Sequence, residues 1–164
     1  MLNYCGTLFF ILQYTNCCAN IFYIVRENFV IMKQIKSFSS YIIVTISIYE
    51  LNILTNVLDT VHKFISAWEF SIRMGCSIQK FQEFKENISN ASIKNHHKDF
   101  ELTSEINFHL SNHELRILSQ SLNEVCNGIY ISNFQERIGI EEEQLRELYK
   151  DIKKWRDNQK NLGR

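Results

Sequence analysis

Residues 40–75 read SYIIVTISIYELNILTNVLDTVHKFISAWEFSIRMG, and residues 104–139 read SEINFHLSNHELRILSQSLNEVCNGIYISNFQERIG. The two stretches align without a gap at an offset of 64 residues, and the alignment continues until residue 88 lies over residue 152. Fifteen of the 49 superposed pairs are identical, among them Ser47/Ser111, Glu50/Glu114, Leu54/Leu118, Phe70/Phe134, Arg73/Arg137 and Gly75/Gly139. Ordinary residue frequencies give about three by chance. An ungapped match of this length points to internal repetition, and that governs how every motif is read.

Each copy opens with a period of two: Ile42, Val44 and Ile46 in the first, Ile106, Phe108 and Leu110 in the second. That period places the side chains on one face of a strand. The other face is Ile43, Thr45 and Ser47 in one copy and Asn107, His109 and Ser111 in the other. The first strand is therefore expected to be covered on both sides and the second on one. Ser47-Ile-Tyr-Glu50 and Ser111-Asn-His-Glu114 are S-x-x-E capping boxes, which start helices. Leu51, Leu54, Leu58, Val61 and their counterparts Leu115, Leu118, Leu122, Val125 step by three and four along one helical stripe. Asn127-Gly128 offers a left-handed stop for the second of these helices. A loop carrying Phe-x-x-Arg-x-Gly follows in each copy, then another helix with an apolar stripe: Phe81, Phe84, Ile88, and Leu145, Leu148, Ile152, Trp155.

These patterns predict an α+β fold made by tandem duplication of a β-α-α unit, with two paired strands, four main helices and a pseudo-two-fold axis. The expected units are residues 32–88 and 104–164, joined by a polar linker over 89–103. An unpaired strand edge would invite a homodimer. Residues 1–31 stand apart: the first 25 carry no charged side chain, and polar residues interrupt their apolar runs. Too broken for a clear spanning helix and lacking a basic n-region, this stretch fits best as a mis-placed start ahead of Met32-Lys-Gln-Ile-Lys36. A single N-terminal membrane segment or an extra helix are the other readings.

Lysine plus arginine and aspartate plus glutamate each number 18, so no global field draws the chain to nucleic acid or an anionic membrane. Five cysteines, odd in number and without a C-x-x-C pair, read as reduced thiols of a cytoplasmic protein. The histidines (His62, His96, His97, His109, His113) match no zinc spacing and are expected on the surface, so neither metal nor cofactor is expected. Cys126 lacks a nameable base and reads as a small apolar residue rather than a nucleophile. Five glycines form no phosphate-binding loop.

Arg73 and Arg137 are the best polar candidates for binding a partner. A scaffold role suits them as well: satisfying carbonyls at a helix end, or pairing with the equally repeated Glu83 and Glu147. The turn before Gly139 has the apolar spacing of a helix-turn-helix, but Glu141-Glu142-Glu143 at the head of the would-be recognition helix would repel phosphates. DNA binding is thus the second reading, and an uncharacterised enzyme the third.

The run Glu114-Leu-Arg-Ile-Leu…Leu122-Asn-Glu-Val-Cys-Asn-Gly-Ile129…Phe134-Gln-Glu-Arg-Ile-Gly139 resembles a small uncharacterised bacterial domain with an E-L-x-x-L…L-N-E-V-x-x-G…F-x-x-R-x-G pattern. The first copy resembles it weakly, with Asp59, Thr60 and Phe64 in place of Asn123, Glu124 and Gly128. The resemblance implies a bacterial origin, a small scaffold and an immunity-like, partner-binding role, and it transfers no site. The expected function is non-enzymatic binding of another protein.

Overall fold

The structure, a computed structural model, describes residues 32–96 and 104–162. The segment 1–31, with its start-site and membrane readings, and His97 lie outside the described residues. The element order is β1 (Lys33–Ser37), β2 (Tyr41–Ser47), α1 (Ile48–Phe64), α2 (Ala67–Met74), α3 (Ile78–His96), β3 (Glu105–Ser111), α4 (Asn112–Asn123), α5 (Phe134–Ile138) and α6 (Glu142–Leu162), with a π-helical turn at Glu124–Gly128. No described helix is long and apolar enough to cross a membrane.

The molecule is mixed α+β, with an antiparallel sheet ordered β1-β2-β3 and six α-helices. The two expected strands do pair with each other. Val44 stands opposite Phe108, and Ile42 opposite Leu110. Beyond the ladder the Ile48 N–H donates to the Ser104 carbonyl at 3.3 Å, and the Asn112 N–H to the Ser40 carbonyl at 3.1 Å. A third strand, β1, was not expected; it pairs with β2 through a register shift between Gln34 and Lys36. Its side chains are mostly exposed, so no period-two apolar signal marks it. The outward row of β2 is half-buried rather than covered, which corrects the expectation of two closed faces.

Both capping boxes form. Ser47 and Ser111 accept from the N–H of Glu50 and Glu114, and those carboxylates accept in return from the serine N–H. Each cap is worth about 1 kcal/mol. Glu50 is buried and also accepts from the Met32 N–H at 3.3 Å, tying the head of β1 to α1. Leu51, Leu54, Leu58 and Val61 are buried, as are Leu115, Leu118, Leu122 and Val125, and they meet Ile42, Val44, Ile46 and Leu110 in one core. The later stripes Phe81, Phe84, Ile88 and Leu145, Leu148, Ile152 are buried against it, with Trp155 at its margin.

Three local expectations change. The loops holding Phe-x-x-Arg-x-Gly are short helices, α2 and α5, because Phe70 and Met74, or Ile138, must face the core one turn apart. Both end on glycines in left-handed conformations, Gly75 at φ 64° and Gly139 at φ 100°. Residues 89–96, read as linker, are the last turns of α3, where buried Ser92 donates to Asn52 Oδ1 at 2.6 Å. Gly128 does not have a positive φ; α4 runs into the π-helical turn and ends with the Ile129 N–H on the Glu124 carbonyl at 2.8 Å.

Candidate functional site

Arg73, in the last turn of α2, reaches across to the end of the other first-helix segment. Its Nε donates to Glu124 Oε2 at 3.1 Å, its Nη2 contacts the same oxygen, and Nη2 also donates to the Gly128 carbonyl at 3.1 Å. Glu69, one turn back on α2, lies 3.8 Å from Nη1. Glu124 is buried, so this is a desolvated, charge-assisted pair. A Cβ on residue 128 would fall on Glu124 Oε2 and within 2.9 Å of Arg73 Nη2. A side chain at this position would have to displace the tips of the Glu124 and Arg73 side chains and so disturb their ion pair. Pairing with Glu83 and Glu147 does not occur: Glu83 accepts from Gln79, and Glu147 from Lys150. Each of those glutamates sits on the outer side of its helix, a turn from a nearer donor.

Arg137 is treated differently. The residue 64 positions before Glu124 is Thr60, and the one before Gly128 is Phe64. Arg137 is exposed, with its guanidinium carbon 5.2 Å from the centre of the Phe64 ring. It borders a depression of about 190 Å³ with Asn56, Asp59, Thr60 and Lys63. Arg73 borders another, larger cleft, so the fold does not bring the two arginines into one site.

That larger cleft, about 450 Å³, lies between α2, α4 and α6. Arg73, Arg116, Arg156 and Lys160 line it and no carboxylate-bearing residue does. Arg116 donates to the Gly75 carbonyl at 3.1 Å and lies 3.3 Å from His113 Nδ1. Arg156 donates to Ser119 Oγ at 3.1 Å and to Asp157, and hydrogen bonding to Arg156 holds the Asp157 carboxyl below its usual range. Ile72 lines the cleft, and α2 turns it and Trp68 to solvent, 80% and 75% exposed. They lie one turn apart on one side of the helix.

Neither Trp68 and Ile72 nor Arg116 and Arg156 belong to the pattern shared by residues 40–88 and 104–152, so no repeated motif marks them. The signal lay where the copies differ: Ser132 and Glu136 match Trp68 and Ile72, and Asn52 and Ser92 match Arg116 and Arg156.

The remaining candidates fare as follows. Cys126 and Cys76 are free and buried. Burial pushes the Cys126 thiol up to about 11 from 9.0, against the opposing charge of Arg146, and raises Cys76 as well. A thiol held protonated is a poor nucleophile. The histidines are not uniformly on the surface: His109 is exposed, but His62 and His113 are half-buried, each with one buried ring nitrogen that has no hydrogen-bond partner. His62 stacks on Phe81 at 6.3 Å, which explains its retention in an apolar setting. As for a helix-turn-helix, α5 has only 5 residues and Glu141, Glu142 and Glu143 are exposed at the head of α6. No family model, curated protein or solved structure matches this chain.

Proposed function

We propose that this chain is a non-enzymatic protein-binding module, formed by tandem duplication of a β-α-α unit about a pseudo-two-fold axis. What supports the duplication is the offset of 64 residues together with the reciprocity of contacts at that offset. Val44 faces Phe108, and the bonds from Ile48 to Ser104 and from Asn112 to Ser40 exchange under it. The matched glycines Gly139 and Gly75 each accept at the carbonyl from the other half of the chain, though from donors that do not correspond: Tyr49 at 2.8 Å and Arg116 at 3.1 Å. Arg73 donates to the Gly128 carbonyl at the end of one helix, and the matched Arg137 stacks on Phe64, the residue that matches Gly128.

The observation that carries the binding function is the exposed pair Trp68 and Ile72. A scaffold does not need them, since the matching positions hold Ser132 and Glu136. Large apolar side chains grouped on a helix and flanked by charge are the anchors of protein interfaces. An immunity-like role is one form of this binding.

The test is capture of the tagged chain from its own cells at physiological salt, followed by intact mass measurement of the complex. The expected result is a stoichiometric protein partner with the wild type and none with W68A/I72A, both chains being equally folded by circular dichroism. A wild-type chain that carries no stoichiometric partner, or a partner retained by the variant, refutes the proposal.

A further inference from the structure

We infer that the cleft between α2, α4 and α6 receives an acidic segment of a partner protein, its carboxylates against Arg116, Arg156 and Lys160 and an adjacent apolar side chain over Ile72 and Trp68. This rests on the protein-binding reading above and names the chemistry of the partner.

The whole chain is neutral, with 18 basic and 18 acidic residues, so a cluster of cations in one cleft is a local choice. Arg73 is matched by Glu124 and Glu69. Of the other three, Arg116 has no carboxylate partner among the described residues, and Arg156 and Lys160 share the single carboxylate of Asp157, at 3.0 and 3.5 Å. Three cations thus face one half-exposed carboxylate.

The first unit shows that the scaffold does not require this. At the positions 64 residues before Arg116 and Arg156 stand Asn52 and Ser92, which join the corresponding pair of helices, α1 and α3, by a neutral hydrogen bond of 2.6 Å. Replacing a self-satisfied neutral pair by two guanidinium groups introduces mutual repulsion that an incoming anion relieves.

The neighbouring surface selects the kind of anion. Ile72 belongs both to the cleft and to the exposed apolar side of α2, so a ligand that fills the cleft meets an aliphatic surface at its edge. A cleft of about 450 Å³ takes one or two side chains, not a duplex. Asp157 and Glu69 on its margins would oppose a continuous phosphate backbone, whereas separate carboxylates fit between them. An acidic peptide with an apolar residue beside its carboxylates has the complementary pattern.

The experiment uses the full chain and a dye-labelled peptide of alternating glutamate and leucine, read by anisotropy and, in a Trp155→Phe background that leaves Trp68 as the one tryptophan, by indole emission. Expected are saturable binding that weakens with salt, a blue shift of Trp68, and at least about a tenfold loss of affinity in R116E/K160E. K33E/K63E, the same charge change at exposed positions that do not line the cleft, leaves affinity unchanged. No binding, equal binding by R116E/K160E, or preference of the same cleft for a short single-stranded oligonucleotide overturns the inference. So does a shift that sedimentation traces to self-association. The capture experiment separates the two levels. A partner kept by R116E/K160E but lost from W68A/I72A leaves protein binding standing and removes the acidic segment. A wild-type chain that captures nothing removes the reading beneath both.

Discussion

Replacing Arg73 by alanine tests whether the joint between α2 and the π-helical turn is electrostatic. The substitution leaves the Glu124 carboxylate buried, 6% exposed, with only Gln120 Nε2 at 3.4 Å and the solvent that enters as its remaining partners. Breaking a fully buried pair costs about 3–5 kcal/mol; with the Arg73 side chain 29% exposed, water reaches the site and the expected loss is about 2–3 kcal/mol. Arg137 serves as the internal control: it is exposed and stacked on Phe64, so Arg137→Ala should cost about 0.5–1 kcal/mol. Equilibrium urea unfolding at neutral pH measures both. With a slope on the order of 2 kcal/mol per molar urea, Arg73→Ala moves the midpoint down by about 1 M and Arg137→Ala by less than half of that. A double-mutant cycle with Glu124→Ala should return a coupling of about 1–3 kcal/mol. Equal midpoints for the two arginine variants, or a coupling indistinguishable from zero, would show that the geometry of the joint does not reflect its energetics.

Other expectations follow from single contacts. Ser111→Ala should cost about 1 kcal/mol in the same assay, and Glu50→Ala more than Glu114→Ala, because only Glu50 is buried and also holds the Met32 N–H. Gly75→Ala should cost about 1 kcal/mol for its left-handed backbone, nothing lying within 4 Å of the added methyl, whereas Gly128→Ala should lower stability by more and should lose most of that excess in an Arg73→Ala background. Cys126 should resist a thiol–disulfide exchange reagent at pH 8 until the chain unfolds. Because its folded value of about 11 lies above the ordinary 9.0, the unfolded thiol ionises first, so the stability of wild type relative to Cys126→Ala should fall as pH rises between them. A difference that is flat with pH would refute the buried placement.

Much of this architecture was written in local pattern. Alternation at Ile42, Val44 and Ile46, the S-x-x-E boxes and the three-four spacing of leucines each fix backbone geometry within a few residues, so they could be read in isolation. β1 escaped because Lys33, Ile35 and Lys36 are exposed at a sheet edge and its bulge breaks any period. The partner of Arg73 escaped because it lies 51 residues away and depends on the helix packing, while Glu83 offered a false nearer match. Gly128 was legible as a special position but not for its reason. The left-handed turn and the crowded close approach leave the same letter in a sequence. The cationic cleft was hidden because Arg116 and Arg156 lie 40 residues apart on different helices.

The crowding at Gly128 also constrains how this chain can change. A side chain there would push apart the Glu124 and Arg73 side-chain tips, and Glu124 without Arg73 is a stranded charge. Glu124 and Gly128 are therefore coupled through Arg73, so that a change at one alters what the other tolerates. At the corresponding place Thr60, Phe64 and Arg137 show another workable combination, with an aromatic ring where the glycine was and no acid to shelter. Both combinations keep the arginine, so Glu124→Thr alone or Gly128→Phe alone should cost stability, whereas the two substitutions together should be tolerated. Sequence variation among descendants of this chain should therefore show these sites switching together or not at all.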